Sequence, residues 1–84
     1  VNPKYPMEAL RSGIQGWVKL AFDISEIGEV INVKVLDSEP KRIFDNAAKQ
    51  ALRKWKYRAK SIDGKQVQQQ NFTVQLDFNM EQAI

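Results

Sequence analysis

The chain of 84 residues contains no cysteine and no histidine. Without cysteine it has no disulfide framework and no thiolate nucleophile. Without histidine it lacks the commonest general base and the commonest metal ligand, which excludes hydrolytic triads built on histidine and histidine-dependent metal sites. A glycine-rich phosphate loop is also missing, so a bound nucleotide cannot supply energy here. We therefore expect a domain that is not an enzyme and that binds no cofactor and no metal ion.

Long apolar runs are absent as well. No run approaches the ~20 residues that a helix needs to cross a bilayer, and no apolar signal-peptide core stands at the N-terminus. The length is close to the size at which a single hydrophobic core is only marginally stable. We predict one domain over residues 1–84. Because the chain starts at Val1 without a methionine, we expect it to be cut from a longer protein.

The C-terminal segment has the clearest pattern in the chain. From Asn71 to Met80 apolar and polar residues alternate, which is typical of a half-buried β-strand. Its polar face has no lysine or proline, the residues by which natural proteins keep an edge strand from pairing with another chain. The alternation is also how any half-buried strand packs against a core. What this strand can bind depends on whether it lies at an edge. Its apolar set is Phe72, Val74, Leu76, Phe78 and Met80.

A short helix and a strand are predicted in the first quarter of the chain. The helix runs from Met7 to Ser12, with Pro6 at its first position and Gly13 closing it in the left-handed conformation. From Gly16 to Ile24 the period changes to two, which predicts the first strand. Its apolar face consists of Val18, Leu20, Phe22 and Ile24.

The second strand follows a turn that contains Gly28 and runs from Val30 to Leu36, so the first two strands form a hairpin. We expect Ile31, Val33 and Val35 to point inward. Val30 and Leu36 lie in the opposite phase, so a β-bulge is an alternative.

A helical period then predicts a second helix from about Arg42 to Trp55. Asp63-Gly64 marks a turn before the last strand, which completes the order α-β-β-α-β. The apolar stripe of this helix is Phe44, Ala47, Ala48, Ala51, Leu52 and Trp55.

Connection rules limit how these elements assemble. An antiparallel sheet requires the strand order 2-1-3, in which the third strand is an edge. The alternative order 3-2-1 makes strand three parallel to strand two and also leaves it at an edge. We predict an α+β fold of two layers, a three-stranded antiparallel sheet of order 2-1-3 with both helices on one face.

Charge is concentrated in residues 41–60, which contain eight lysines and arginines and one acidic residue, Asp45. Such asymmetry is compatible with binding to RNA or another polyanion. The interpretation that we favour is a solvated helix face with cations at the C-terminal end of the helix. The pattern lacks the aromatic pair on a central strand that RNA-binding αβ modules use, so we expect no nucleic acid partner.

Residues spread over the whole chain resemble the TonB C-terminal domain family in order and spacing. The combined pattern is specific, although each piece alone is weak. One departure is Ala59, which stands where the family usually carries proline. The residues that carry the resemblance are Tyr5-Pro6, Ala9, Gly13-Ile14-Gln15-Gly16, Val18, Phe22, Gly28, Val30, Ser38, Pro40, Phe44-Asp45, Ala48, Ala51, Trp55, Tyr57 and Gly64.

The resemblance implies a periplasmic domain of a protein anchored in the inner membrane of a Gram-negative cell. A proline-rich spacer and a membrane helix, both absent from this chain, would connect it to the proton-driven ExbB–ExbD complex. Its partners would be outer-membrane transporters for iron-siderophores, haem or cobalamin, whose Ton box it binds to transmit energy.

The resemblance also implies where the partner binds. The Ton box would add a strand to the edge of the last strand by β-augmentation, and helper contacts would come from the first helix and the loop after it. An unprotected edge would also allow a homodimer. The predicted binding residues are Asn71, Phe72, Thr73, Val74, Gln75, Leu76, Asp77 and Phe78, with Leu10, Arg11, Ser12 and Gln15 as helpers and Tyr5 and Pro6 as the family motif.

Overall fold

The computed structural model describes residues 4–79, and its elements follow the predicted α-β-β-α-β order with one additional hairpin. Within this range no helix is long and apolar enough to cross a membrane. The last predicted strand begins at Gln69 rather than Asn71, and its predicted end at Met80 lies outside the described residues. The elements are α1 (Met7–Ser12), β1 (Gly16–Ile24), β2 (Val30–Glu39), α2 (Asp45–Arg53), β3 (Lys60–Ile62), β4 (Lys65–Val67) and β5 (Gln69–Phe78).

Strands β2, β1 and β5 form one antiparallel sheet in the order β2-β1-β5. This confirms the predicted order 2-1-3, because β5 is the third strand of this sheet, and the parallel alternative is wrong. Residues buried on one face of the sheet merge with those of both helices into a single core, so the helices cover that face. The core comprises Ala9, Val18, Leu20, Phe22, Ile24, Val30, Phe44, Ala48, Ala51, Leu52, Leu76 and Phe78.

Three aromatic rings connect the N-terminal segment to the sheet and to α2. Phe44 and Phe78 are stacked with ring centroids 4.4 Å apart, and both are almost fully buried. Tyr5 meets each of them edge-on, at 5.5 and 5.9 Å. The Tyr5 hydroxyl donates a hydrogen bond to the carbonyl of Ile14, in the loop between α1 and β1. Tyr5, which precedes α1, therefore packs against the core.

The inward set of β2 differs from the prediction because β2 contains two bulges. Lys19 lies opposite Asp37 while Leu20 lies opposite Val35, which leaves Leu36 as an extra residue. A second irregularity falls between the partners of Ala21 and Asp23. Each extra residue reverses the alternation of side chains. As a result Val30 and Ser38 are buried at the ends of β2, Val33 and Val35 pack inward between the bulges, and Ile31 does not join the core.

The second helix is shorter than predicted at both ends. Arg42 has a φ of 69°, a left-handed conformation that a right-handed helix cannot contain, so α2 starts only at Asp45. The helix ends at Arg53, which leaves Trp55 beyond it and only half-buried. At α1 the bounds are confirmed and Gly13 is left-handed with φ 66°, but Pro6 occupies the N-cap position rather than the first helical one.

The hairpin of β3 and β4 was missed by the sequence analysis, although its turn at Asp63-Gly64 is confirmed by φ values of 51° and 80°. Each strand has three residues that are mostly exposed, so there is no alternation from which to predict them. Within residues 4–79 these two strands pair only with each other.

Candidate functional site at the edge of β5

Strand β5 borders only β1 within the sheet of the described residues, so its other side is an open edge. Its register with β1 is continuous from the pair Gly16 and Phe78 to the pair Phe22 and Phe72. This straight stretch of seven residues, Phe72 to Phe78, is about 23 Å long at ~3.3 Å per residue. We call it the docking edge.

The opposite edge of the sheet, β2, is less suited to pairing. Its two bulges interrupt the row of backbone groups, and the exposed Lys34 lies between them. Bulges and lysines are means by which proteins prevent strand addition. The docking edge has a continuous register and neither lysine nor proline. Of the two edges, β5 is the one open to another strand.

The backbone groups that face outward at the docking edge follow from the hairpin turn. Ser25 donates its N–H to the carbonyl of Glu29 at 2.7 Å, so the backbone groups of Ser25 point toward β2. Because the direction alternates from residue to residue along an antiparallel strand, the even-numbered residues of β1 point toward β5. Their partners on β5 are Phe72, Val74, Leu76 and Phe78. The N–H and C=O groups of Thr73, Gln75 and Asp77 therefore face the open side.

The side chains of the docking edge divide between the two faces of the sheet. Leu76 and Phe78 are buried in the core and Val74 is half-buried. Phe72 is 37 % exposed, yet its ring stacks on Phe22 with centroids 5.7 Å apart. The alternate residues are exposed on the other face, where the amide nitrogen of Gln75 donates to Asp77 at 3.0 Å.

Asn71, the first predicted binding residue, does not continue the docking edge. It is left-handed, with φ 66°, and lies in a bulge where two residues of β5 oppose one residue of β1. Its N–H donates to the carboxylate of Asp23 at 3.1 Å, so this group is not available to a partner. The same carboxylate accepts from the side chain of Asn32 at 2.9 Å. Nothing in the sequence distinguishes Asp23 or Asn32, since one polar residue on the outer phase of a strand is an ordinary pattern.

The predicted helper residues lie where β5 ends. Gln15 directly precedes Gly16, the partner of Phe78, and is exposed. Arg11 and Ser12 are exposed at the end of α1, whereas Leu10 is half-buried. The N–H of Ile14 bonds to the carbonyl of Ala9, which holds this loop against α1. The helper residues thus border one end of the sheet. The motif residue Tyr5 instead packs against Phe44 and Phe78, and burial raises the pKa of its hydroxyl.

Two of the basic residues of positions 41–60 lie close to acidic side chains. Lys41 is held by Asp37 at 2.7 Å, a hydrogen bond that lowers the pKa of Asp37 and raises the pKa of Lys41. Lys56 lies 3.6 Å from Glu29. The outer face of the central strand β1 carries one aromatic residue, the half-buried Trp17, and not the pair on which nucleic acid bases stack. The geometry therefore favours the docking edge over a polyanion site.

Comparison with known proteins identifies the family. The family model described as the C-terminal domain of the Gram-negative bacterial TonB protein matches residues 1–80. The chain belongs to the TonB C-terminal domain family. It is similar to the TonB protein of Yersinia enterocolitica, with 44 % identity over 58 residues that cover 69 % of this chain and 23 % of that protein.

Solved structures of the family agree with the fold of this TonB C-terminal domain. The solution structure of the Pseudomonas aeruginosa TonB C-terminal domain has a TM-score of 0.82 at 36 % identity, covering 96 % of this chain and 81 % of that one. The TonB2 protein from Vibrio anguillarum has a TM-score of 0.71 at 43 % identity, with coverages of 94 % and 74 %. The chain spans about a quarter of the length of the curated relatives it matches.

Proposed function

We propose that this domain transmits energy to outer-membrane transporters by binding their Ton box as an additional strand of its sheet. The observation that supports this function is the docking edge, which is a straight and unprotected stretch of β5. Membership of the TonB C-terminal domain family supports it as well. Strand addition uses backbone hydrogen bonds for affinity and the alternating side chains for specificity. In this role the domain binds the Ton box and catalyses no reaction, so it couples motion to the transporter mechanically.

Affinity for the isolated peptide is expected to be modest. The outward groups of Thr73, Gln75 and Asp77 offer both an N–H and a C=O, and each hydrogen bond contributes about 0.5–1.5 kcal/mol net. Association costs about 4–15 kcal/mol because the peptide loses translational and rotational freedom. Pairing alone therefore gives weak binding, and further contacts from Arg11 and Gln15 would raise the affinity of a whole transporter over that of its peptide.

In the whole protein, the domain would work in the periplasm. A membrane anchor and a proline-rich spacer would connect it to ExbB–ExbD, which supply the proton-driven motion. The transported substrates would be iron-siderophores, haem or cobalamin. When an added strand is pulled along its own axis, all its hydrogen bonds are loaded together, so a weakly bound peptide can still transmit tension.

The docking edge is tested by proline substitutions at two neighbouring positions. We expect Gln75→Pro to weaken binding of a labelled Ton box peptide by about ten-fold or more, because proline removes an outward N–H and its ring obstructs the adjacent bonds. Gln75→Ala should bind nearly as the wild type does, since it keeps the backbone. Fluorescence anisotropy measures the affinity, and circular dichroism confirms that each variant is folded.

Val74→Pro is the matched control. The N–H of Val74 points toward β1, so proline at this position should destabilise the domain instead of blocking only the peptide. A folded Gln75→Pro variant that binds with wild-type affinity would contradict strand addition at β5 and move the contact to the Leu10 to Gln15 segment.

The same edge is expected to support a weak homodimer, in which two copies pair through β5. Sedimentation over a range of concentrations should show self-association that Gln75→Pro abolishes. Val35→Pro, which places proline on the opposite edge of the sheet, is the control and should leave the dimer intact. Equal loss in both variants would mean that β5 is not the interface.

A further inference from the structure

Asp23 occupies a position that links all three strands of the main sheet. It lies on the central strand β1, and the registers with both neighbouring strands are irregular beside it. One carboxylate oxygen accepts from the side-chain amide of Asn32 on β2 at 2.9 Å. The other accepts from the backbone N–H of Asn71 on β5 at 3.1 Å. A single side chain therefore connects the two irregular sites.

Both asparagines have conformations that need support. Their φ values are 54° for Asn32 and 66° for Asn71, within the left-handed region that residues with a side chain seldom adopt. Asparagine tolerates this region better than most residues, but such conformations persist when surrounding contacts determine them. In this structure the carboxylate of Asp23 supplies one such contact to each strand.

We infer that Asp23 is a positioning residue that ends the docking edge at a fixed place. Its bond to Asn71 holds the bulge that interrupts β5 just before Phe72. The downstream register of β5 is set independently by the buried Leu76 and Phe78. Asp23 therefore decides only whether the outward row of backbone groups stops after Thr73 or continues upstream.

The place where the edge ends determines the register of an added strand. Without the bulge, the alternation would extend through Asn71, whose backbone groups would join those of Thr73 at the open side. An incoming strand could then slip by two residues and still present the same side chains to each face, since the side-chain period of a strand is two. This inference rests on the proposed function, because it concerns the register of the peptide on that same edge.

Disulfide cross-linking measures the register directly, since the chain contains no cysteine of its own. The domain carries Thr73→Cys, and the probes are synthetic Ton box peptides of a Pseudomonas aeruginosa outer-membrane transporter, each with one cysteine at a successive position. With the wild-type Asp23 we expect one dominant peptide position. With Asp23→Ala the dominant fraction should fall about two-fold, and a second position two residues away should appear, as two registers then compete.

Two further variants separate register from stability. Asp37→Ala removes the same charge from the outer face of β2 and should keep a single cross-link position. Asn71→Gly in the Asp23→Ala background should restore the single position, because glycine adopts a positive φ without support. If Asp23→Ala does not fold, Asp23→Val, which suits a strand and has no hydrogen-bond acceptor, is used in its place with the same expected result.

The outcomes distinguish this inference from the proposed function. A single, unchanged cross-link position in folded Asp23→Ala, with any loss limited to thermal stability, would show that Asp23 is only structural and would overturn the inference. Absence of a cross-link from the Thr73→Cys domain with wild-type Asp23 to any of the peptides would overturn the proposed function and the inference together.

Discussion

Phe44→Ala is expected to lower the free energy of unfolding by about 3–5 kcal/mol. The Phe44 ring is fully buried and lies 4.4 Å from Phe78 and 5.5 Å from Tyr5, so alanine would leave a cavity that three separate segments line. Small domains have a total stability of about 5–15 kcal/mol, so this loss removes much of it. Urea denaturation followed by circular dichroism gives the change in midpoint, and peptide binding should fall as the folded fraction falls.

Trp55→Ala is the comparison for this prediction. The helical stripe of the sequence includes both aromatic residues, but Trp55 lies beyond α2 and is half-buried, with its ring 6.4 Å from Tyr57. Its removal should therefore cost less than that of Phe44, although the side chain is larger. A midpoint lowered more by Trp55→Ala than by Phe44→Ala would contradict the central place of the aromatic cluster.

Gly28→Ala is expected to destabilise the domain by about 2–5 kcal/mol, because two costs add. Gly28 has a φ of 87°, which any residue with a side chain adopts at a cost of about 1–2 kcal/mol. A Cβ atom there would also lie 2.1 Å from the carbonyl oxygen of Tyr57, a contact that only a shift of the backbone can relieve. The shift would break the bond of 2.9 Å from the Tyr57 N–H to the Gly28 carbonyl.

Gly64→Ala isolates the first of these costs, the conformational one. Gly64 has a similar φ of 80°, but a Cβ atom there would have no neighbour within 4 Å. Only the conformational cost of about 1–2 kcal/mol should remain. Urea denaturation of both variants measures the difference between their losses of stability. This difference corresponds to the close approach of Gly28 in the hairpin turn to Tyr57 in the segment after α2. Equal losses would mean that this approach contributes nothing to stability.

The hydrophobic periodicity of the sequence and the positions of its turn residues predicted most of the fold. The alternation of β1 and of β5 is clear because the buried face of each is uninterrupted over many residues. Gly13 and the Asp63-Gly64 turn were located correctly, since few residues suit positive φ. Of the predicted inward set of β2, Val33 and Val35 pack against the core and Ile31 does not, because the bulges reverse the phase. The opposite phase of Val30 and Leu36 is the sign of such a bulge in the sequence. The end of α2 was wrong because the helical stripe continues past the last helical turn to Trp55.

The candidate site was predicted to a similar degree. The alternation of β5 located the strand, while its binding of another chain stays a prediction from its lack of lysine and the family resemblance. The structure removed Asn71 from the row of available backbone groups and assigned outward roles to Thr73, Gln75 and Asp77. Neither result follows from the sequence, because hydrogen-bond direction depends on which neighbour β5 pairs with and in which register.

The sequence by itself determined the family, the order of the main elements and the absence of the side chains that histidine and thiol chemistry require. These properties depend on residue types and their spacing, which are local. The tertiary structure decided that β5 and not β2 offers a usable edge, and that Asp23 meets Asn32 and Asn71. These properties depend on pairs of residues far apart in the chain, whose contact is set by the packing of the whole core.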